Sequence, residues 1–119
     1  EDILADTQKY AKEYANKYGI TVVLKSHRSV IAAKEDTFIN ESGTPAMAKA
    51  GSGDVLCGII AGMFRLGIED DLAVALGVYI HGLAGKLAGQ KQGEHSIIAR
   101  DILDNIGEVL NRRKRNGLI

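Results

Sequence analysis

A single cysteine, Cys57, stands in 119 residues. That excludes an internal disulfide framework and fits a reducing, cytoplasmic setting. Inside an apolar segment with no base nearby, Cys57 reads as a packed thiol. Charge of one sign is also lacking: 15 Lys and Arg offset 15 Asp and Glu, so no global field draws the chain to nucleic acid or a membrane. Three dispersed histidines beside one cysteine give no metal-ligand spacing. No apolar run approaches membrane-spanning length, and no basic-then-apolar leader opens the chain. What remains is ordinary for a globular protein, with 45% hydrophobic and 25% charged residues. The length suits one domain or part of one, large enough for a core but small for an enzyme with two substrates.

Ile3, Thr7, Tyr10, Ala11, Tyr14 and Tyr18 recur at helical spacing and predict an amphipathic helix, with half-buried tyrosines, ending at Gly19. Ile20–Leu24 is a continuous apolar run, the pattern of a strand covered on both faces. Val30–Ala33 and Thr37–Asn40 predict a hairpin across the charged Lys34–Asp36 turn. Glu41–Ala50 reads as loop and holds the only proline, Pro45. A helix from about Gly53 to Leu66 follows, stopped by Gly67, with Gly58 and Gly62 four apart for close packing. The next, roughly Asp70–Gly89, carries the stripe Leu72, Leu76, Ile80, Leu83 and Leu87. Its glycines at 77, 82 and 85 each cost about 1 kcal/mol of helix stability, which close contacts must offset. A last helix, about Ala99 to Arg113, buries Ile102, Leu103, Ile106 and Leu110. The basic Arg112–Arg115 run suits a helix C-terminus better than nucleic acid. This order indicates α/β layers rather than a bundle.

Chemistry concentrates at Ala50–Gly58, A-G-S-G-D-V-L-C-G. Gly51 and Gly53 permit a tight turn, and the N–H groups of Gly51, Ser52 and Gly53 can form an anion hole where the helix dipole already favours negative charge. Asp54 beside it is placed to act as a base, and a helix N-terminus favours its charged form. The plainer alternative is a helix start capped by Ser52 or Asp54. The polar turn Lys25, Ser26, His27, Arg28 and Ser29 follows the apolar strand, where ligands of open α/β sheets bind; its plainer alternative is a solvated turn. His81, alone among apolar residues, reads as a core histidine with one hydrogen bond.

The stretch Gly43–Gly62, G-T-P-A-M-A-K-A-G-S-G-D-V-L-C-G-I-I-A-G, resembles the signature of the ADP/ATP-dependent NAD(P)H-hydrate dehydratases, members of the ribokinase-like superfamily. H-G-L-A-G at His81–Gly85 and A-R-D-I at Ala99–Ile102 are similar too, and the likeness runs from Thr21 to Ile106. It implies an α/β fold, the three-layer α/β/α sandwich, with residues 1–119 forming a single partial domain from the C-terminal portion of the catalytic domain. It implies ATP or ADP as the phosphoryl donor, with Mg2+ arriving on the nucleotide rather than on a metal site of this chain. NAD(P)H hydrate is the implied substrate, and a cytoplasmic homo-oligomer the implied state. Asp54 becomes the catalytic base and the contact to the substrate hydroxyl, while Gly53 and the Lys25–Ser29 turn contact the nucleotide. Ser26 stands where the family pattern has glycine. Two other readings stay open: a ribokinase-like kinase of a small vitamin precursor, and an inactive folding or interaction module.

Overall fold

A computed structural model of the chain describes residues 3–116, with side chains from residue 5 onward. Helix α1 spans Ile3–Tyr18, and Gly19, at φ +63°, ends it in the left-handed conformation expected of a glycine stop. The Ile20 N–H then donates to the Ala15 carbonyl at 3.1 Å. The buried face of α1 is Ala11 and Ala15, not the tyrosines. Tyr10, Tyr14 and Tyr18 are 53–63% exposed; small alanines let the helix sit close to Val30 and Ala32, which leaves no room for rings between. Tyr14 and Tyr18 pack on each other instead, centroids 4.6 Å apart. The side chain of Ile3, counted in the expected stripe, lies outside the described residues.

Strands β1 (Val22–Leu24), β2 (Ser29–Ala32) and β3 (Thr37–Asn40) form one antiparallel sheet in that order. The expected hairpin is β2–β3, with Ile31 opposite Phe38. β1 joins it antiparallel, Val23 opposite Ile31, as the edge of this sheet. The extent read for this strand is corrected, since Ile20 lies before it and Leu24 is exposed, but its two faces are covered as expected: Val22 packs with Val30 and Ala32 toward α1, and Val23 joins Ile31 on the other face. Along β2 the pleat alternates between layers. Val30 and Ala32 face α1, while Ile31 meets Leu56, Val74 and Val78 from the helices on the other side. The result is three layers, α/β/α.

Helices α2 (Ser52–Met63), α3 (Asp70–Gln92) and α4 (Ala99–Arg115) make the second helical layer, and single 3-10 turns occupy Pro45–Met47 and Phe64–Leu66. Ile59, Met63, Ile80, Leu87, Ile102 and Val109 form its centre. α3 is buried on most sides, so Ala73, Val74 and Val78 are inside while Leu72 is exposed. By length and composition α3 could cross a membrane, which corrects the expectation that no apolar run approaches that length, but 67% of its apolar window is buried within this fold. It is the core helix. On α4, Asn105 takes a buried position expected of Leu103 and is satisfied by Lys91 Nζ (2.8 Å) and the Asp101 carbonyl (2.7 Å).

The α3 glycines act as expected. A β-carbon at Gly77 would lie 2.8 Å from Ile60 Cγ1, one at Gly82 2.0 Å from Ser42 Oγ, and one at Gly85 2.4 Å from Met47 Sδ. The opposite holds on α2, where β-carbons at Gly58 and Gly62 would meet nothing within 4 Å. Cys57 shares that outward side and is exposed rather than packed.

Candidate active site

The α2 start is built from a left-handed glycine and a buried serine. Gly51 is the N-cap residue at φ +85°, and its carbonyl receives the N–H groups of Asp54 (3.1 Å) and Val55 (3.2 Å). The Ser52 N–H is held by the Lys49 carbonyl at 3.2 Å. Among the described residues, the N–H groups of Gly51 and Gly53 are the members of the expected anion hole with no backbone partner. No side chain caps the helix. Ser52 is 3% exposed, and its hydroxyl faces His81 Nε2 at 3.2 Å.

Lys25 reaches this helix start from the end of β1. Its Nζ lies 3.2 Å from where a β-carbon would stand on Gly53, so two sites read separately in the sequence meet in space. Ser26, His27 and Arg28 are exposed and Ser29 is half-buried: Ser26 Oγ donates to the Arg28 carbonyl at 2.7 Å, and the Ser26 N–H lies 3.4 Å from Ser29 Oγ. No described non-glycine residue has positive φ, so Ser26 holds no angle that demands glycine. Arg28 turns away to pair with Glu41 at 3.4 Å, both side chains more than half exposed.

A cleft of about 450 Å³ opens between this turn and the Gly43–Ala48 loop. Lys25, Ser26, His27 and Ser29 line one wall, Thr44, Pro45 and Met47 the other, and Ser52 and His81 the inner end. Thr44 Oγ1 is buried without a hydrogen-bond partner among the described residues. His81, 6% exposed, places Nε2 3.0 Å from the Ser52 carbonyl. Burial pushes its pKa below the usual histidine value; the bond to the Ser52 backbone opposes the shift and the nearby Lys25 charge adds to it. Thr44 and His81 were not chosen as site residues from sequence. The available signals were the G-T-P-A-M run and the glycines flanking His81, which mark close approach.

Asp54 does not line the cleft. Two helical positions amount to a rotation of about 200°, so with Ser52 turned inward Asp54 points to the other side. It stands exposed at the end of an apolar groove of about 520 Å³ between α2 and α4, lined by Ile59, Met63, Leu103 and Ile106. Its carboxylate has no hydrogen bond or ion pair with any described residue. Among the described residues no three His, Cys, Asp or Glu side chains group closely enough to hold a metal ion.

Three layers and a glycine-flanked helix start beside a strand-end turn define a ribokinase-like α/β fold. A structure of a ribokinase-like superfamily protein from Enterococcus faecalis superposes with a TM-score of 0.72 at 32% identity, over 92% of this chain and 37% of that one. The chain belongs to the NAD(P)H-hydrate dehydratase family, whose model matches residues 2–108. It is 43% identical over 109 residues to a bifunctional NAD(P)H-hydrate repair enzyme of Moorella thermoacetica, covering 91% of this chain and 21% of the relative. The ADP/ATP-dependent NAD(P)H-hydrate dehydratase of Bacillus subtilis, co-crystallized with ATP/Mg2+, superposes with a TM-score of 0.86 at 34% identity, over 91% of this chain and 39% of that one. The chain thus spans about a fifth to two fifths of the length of these proteins.

Proposed function

We propose that this chain supplies the phosphate-facing helix start and the catalytic base of an ADP/ATP-dependent NAD(P)H-hydrate dehydratase, a lyase that restores damaged reduced nicotinamide cofactors. The observation that carries the reading is the meeting of Lys25 with Gly53 at the N-terminus of α2, beside the unpaired N–H groups of Gly51 and Gly53. One ammonium, two N–H donors and a helix dipole converge where a polyphosphate would lie. Lys25, Ser26, His27 and Ser29 then form the nucleotide wall, with Arg28 at its outer edge.

Asp54 on the far side of the helix start suits a hydroxyl approaching opposite the nucleotide. The carboxylate takes the proton of the hydrate's ring hydroxyl, and that oxygen bonds to the terminal phosphorus as the P–O bond to ADP or AMP breaks. Phosphate is a far better leaving group than hydroxide. It departs with the C–O electron pair as the ring nitrogen donates its own, and loss of the neighbouring ring proton restores the double bond. Bound nucleotide supplies the phosphoryl group and brings Mg2+ with it.

Residues 1–119 are read as a single partial domain of that enzyme. Exposed Ile20 and Leu24 at the β1 edge and the open α2–α4 groove favour association with further chain or further copies, in keeping with a homo-oligomer. The exposed Cys57 thiol suits a reducing cytoplasm. Full-length protein carrying this sequence, given NADH hydrate and ATP or ADP, is expected to regenerate NADH absorbance with release of inorganic phosphate. A stable phosphorylated alcohol would instead indicate the kinase, and no turnover with either nucleotide would overturn both.

A further inference from the structure

His81 grips the first residue of α2 through one nitrogen. Nε2 lies 3.0 Å from the Ser52 carbonyl and 3.2 Å from its hydroxyl, across 29 residues of sequence. A carbonyl only accepts, so the proton of the neutral ring sits on Nε2 and is shared with both oxygens. The Ser52 hydroxyl can then accept there and keep its own hydrogen for another group. Glycine on each side makes this reach possible. Gly77 brings α3 against Ile60 of α2, and Gly82 brings it against Ser42 and Gly43, so the ring lies where α3, α2 and the cleft loop converge.

We propose that His81 is a positioning residue, fixing the first turn of α2 so that the Gly51 and Gly53 N–H groups face Lys25 while Asp54 faces the opposite groove. This rests on the reading of that helix start as the phosphate site. The ring touches Ser52 rather than any reacting atom, and its task is to donate one hydrogen bond in a fixed direction. Burial and the Lys25 charge keep it neutral, which also spares the helix N-terminus a second cation.

The test uses full-length protein with His81→Gln, whose amide can donate from near the Nε2 position, and His81→Leu, which cannot donate. Loss of a buried hydrogen bond at a site of this kind is expected to lower kcat/KM about tenfold or more in His81→Leu, with His81→Gln recovering to within about threefold of wild type. Equal loss in both variants, or no loss in His81→Leu, would overturn the proposal. Nitrogen-detected NMR of the wild-type imidazole gives a readout independent of turnover, with Nε2 protonated as the expected tautomer. A proton on Nδ1 would overturn the proposal even if His81→Leu failed to fold. Should wild-type protein form no NADH, the dehydratase reading fails by itself. ADP affinity of the two variants, judged by the same fold-changes, then decides the role of His81.

Discussion

Lys25 Nζ lies 3.2 Å from the point where a β-carbon would stand on Gly53, which joins the end of β1 to the start of α2. Gly53 keeps ordinary negative φ, so alanine there is allowed by the backbone and improves helix propensity. What it would displace is the ammonium. Gly53→Ala is therefore expected to leave folding stability within about 1 kcal/mol of wild type while weakening nucleotide binding. Lys25→Met removes a charge-assisted contact altogether, and an increase of about tenfold or more in nucleotide Kd is expected. Titration calorimetry with ADP checks both. Wild-type affinity in Lys25→Met would remove Lys25 from the site.

Glycines at helix positions give a paired test of packing. A β-carbon at Gly82 would stand 2.0 Å from Ser42 Oγ and 2.9 Å from the Gly43 nitrogen, and the backbone there cannot swing aside as a side-chain tip can. Gly82→Ala is expected to cost about 1–3 kcal/mol despite the gain in propensity, and to push the cleft loop outward. At Gly107 on α4 nothing lies within 4 Å, so Gly107→Ala should stabilise by about 0.4–1 kcal/mol. Urea unfolding of the two variants measures the difference. If both shift the same way, the close approach of α3 to the Ser42–Gly43 loop is not what Gly82 provides.

Much of this architecture was legible from residue type alone. Gly19 and Gly67 stop helices because only glycine takes positive φ freely, and both do so here, at +63° and +73°. The glycines of α3 announced close contacts and make them. Where the reading failed, large side chains were given too much weight. α1 buries alanines and exposes tyrosines, because the depth of the gap between helix and sheet, which no local pattern records, admits only small residues. β1 reads two residues too long at its start because an apolar run does not mark where strand pairing begins, although its faces are covered as expected, Val22 on the α1 side and Val23 on the other. At the site, G-S-G-D reads as one cluster along the chain, yet helical rotation sends Ser52 into the core and Asp54 out to a different groove. The partner of Ser52, His81, lies 29 residues away and could only be found in space.

Acid should weaken the fold in two stages with the same sign. His81 has its pKa lowered in the folded state, chiefly by burial, so an unfolded histidine takes up a proton that the folded one resists. That contribution is complete above the ordinary histidine value of 6.5 and is lost as pH falls below it. Glu108 is lowered by hydrogen bonds from Lys91 and Arg112, and its contribution is lost as pH falls below the ordinary glutamate value of 4.5. Melting temperature is expected to begin its decline near the histidine value, and His81→Gln should remove that first stage while sparing the second. Identical pH profiles for the variant and wild type would show that the buried imidazole carries no such linkage.

Asp54 is exposed, unpaired and set apart from the cleft, so its removal should separate chemistry from binding and from folding. With no side-chain partner, the Asp54 carboxylate stabilises the fold only through the dipole of α2, by about 0.3–1 kcal/mol, and Asp54→Asn is expected to melt within a few degrees of wild type. Nucleotide contacts run through Lys25 and the glycine N–H groups on the opposite side, so ADP affinity should stay within about threefold, since no charge-assisted contact is lost there. Proton removal from the substrate hydroxyl is the one step that needs the carboxylate. Its loss is expected to lower the rate of NADH recovery by about 10²–10⁴-fold in full-length protein. Single-turnover measurements with saturating ADP or ATP give the number directly. A rate near wild type would show that the hydroxyl loses its proton elsewhere, and Asp54 would then be no more than a charge beside the helix start.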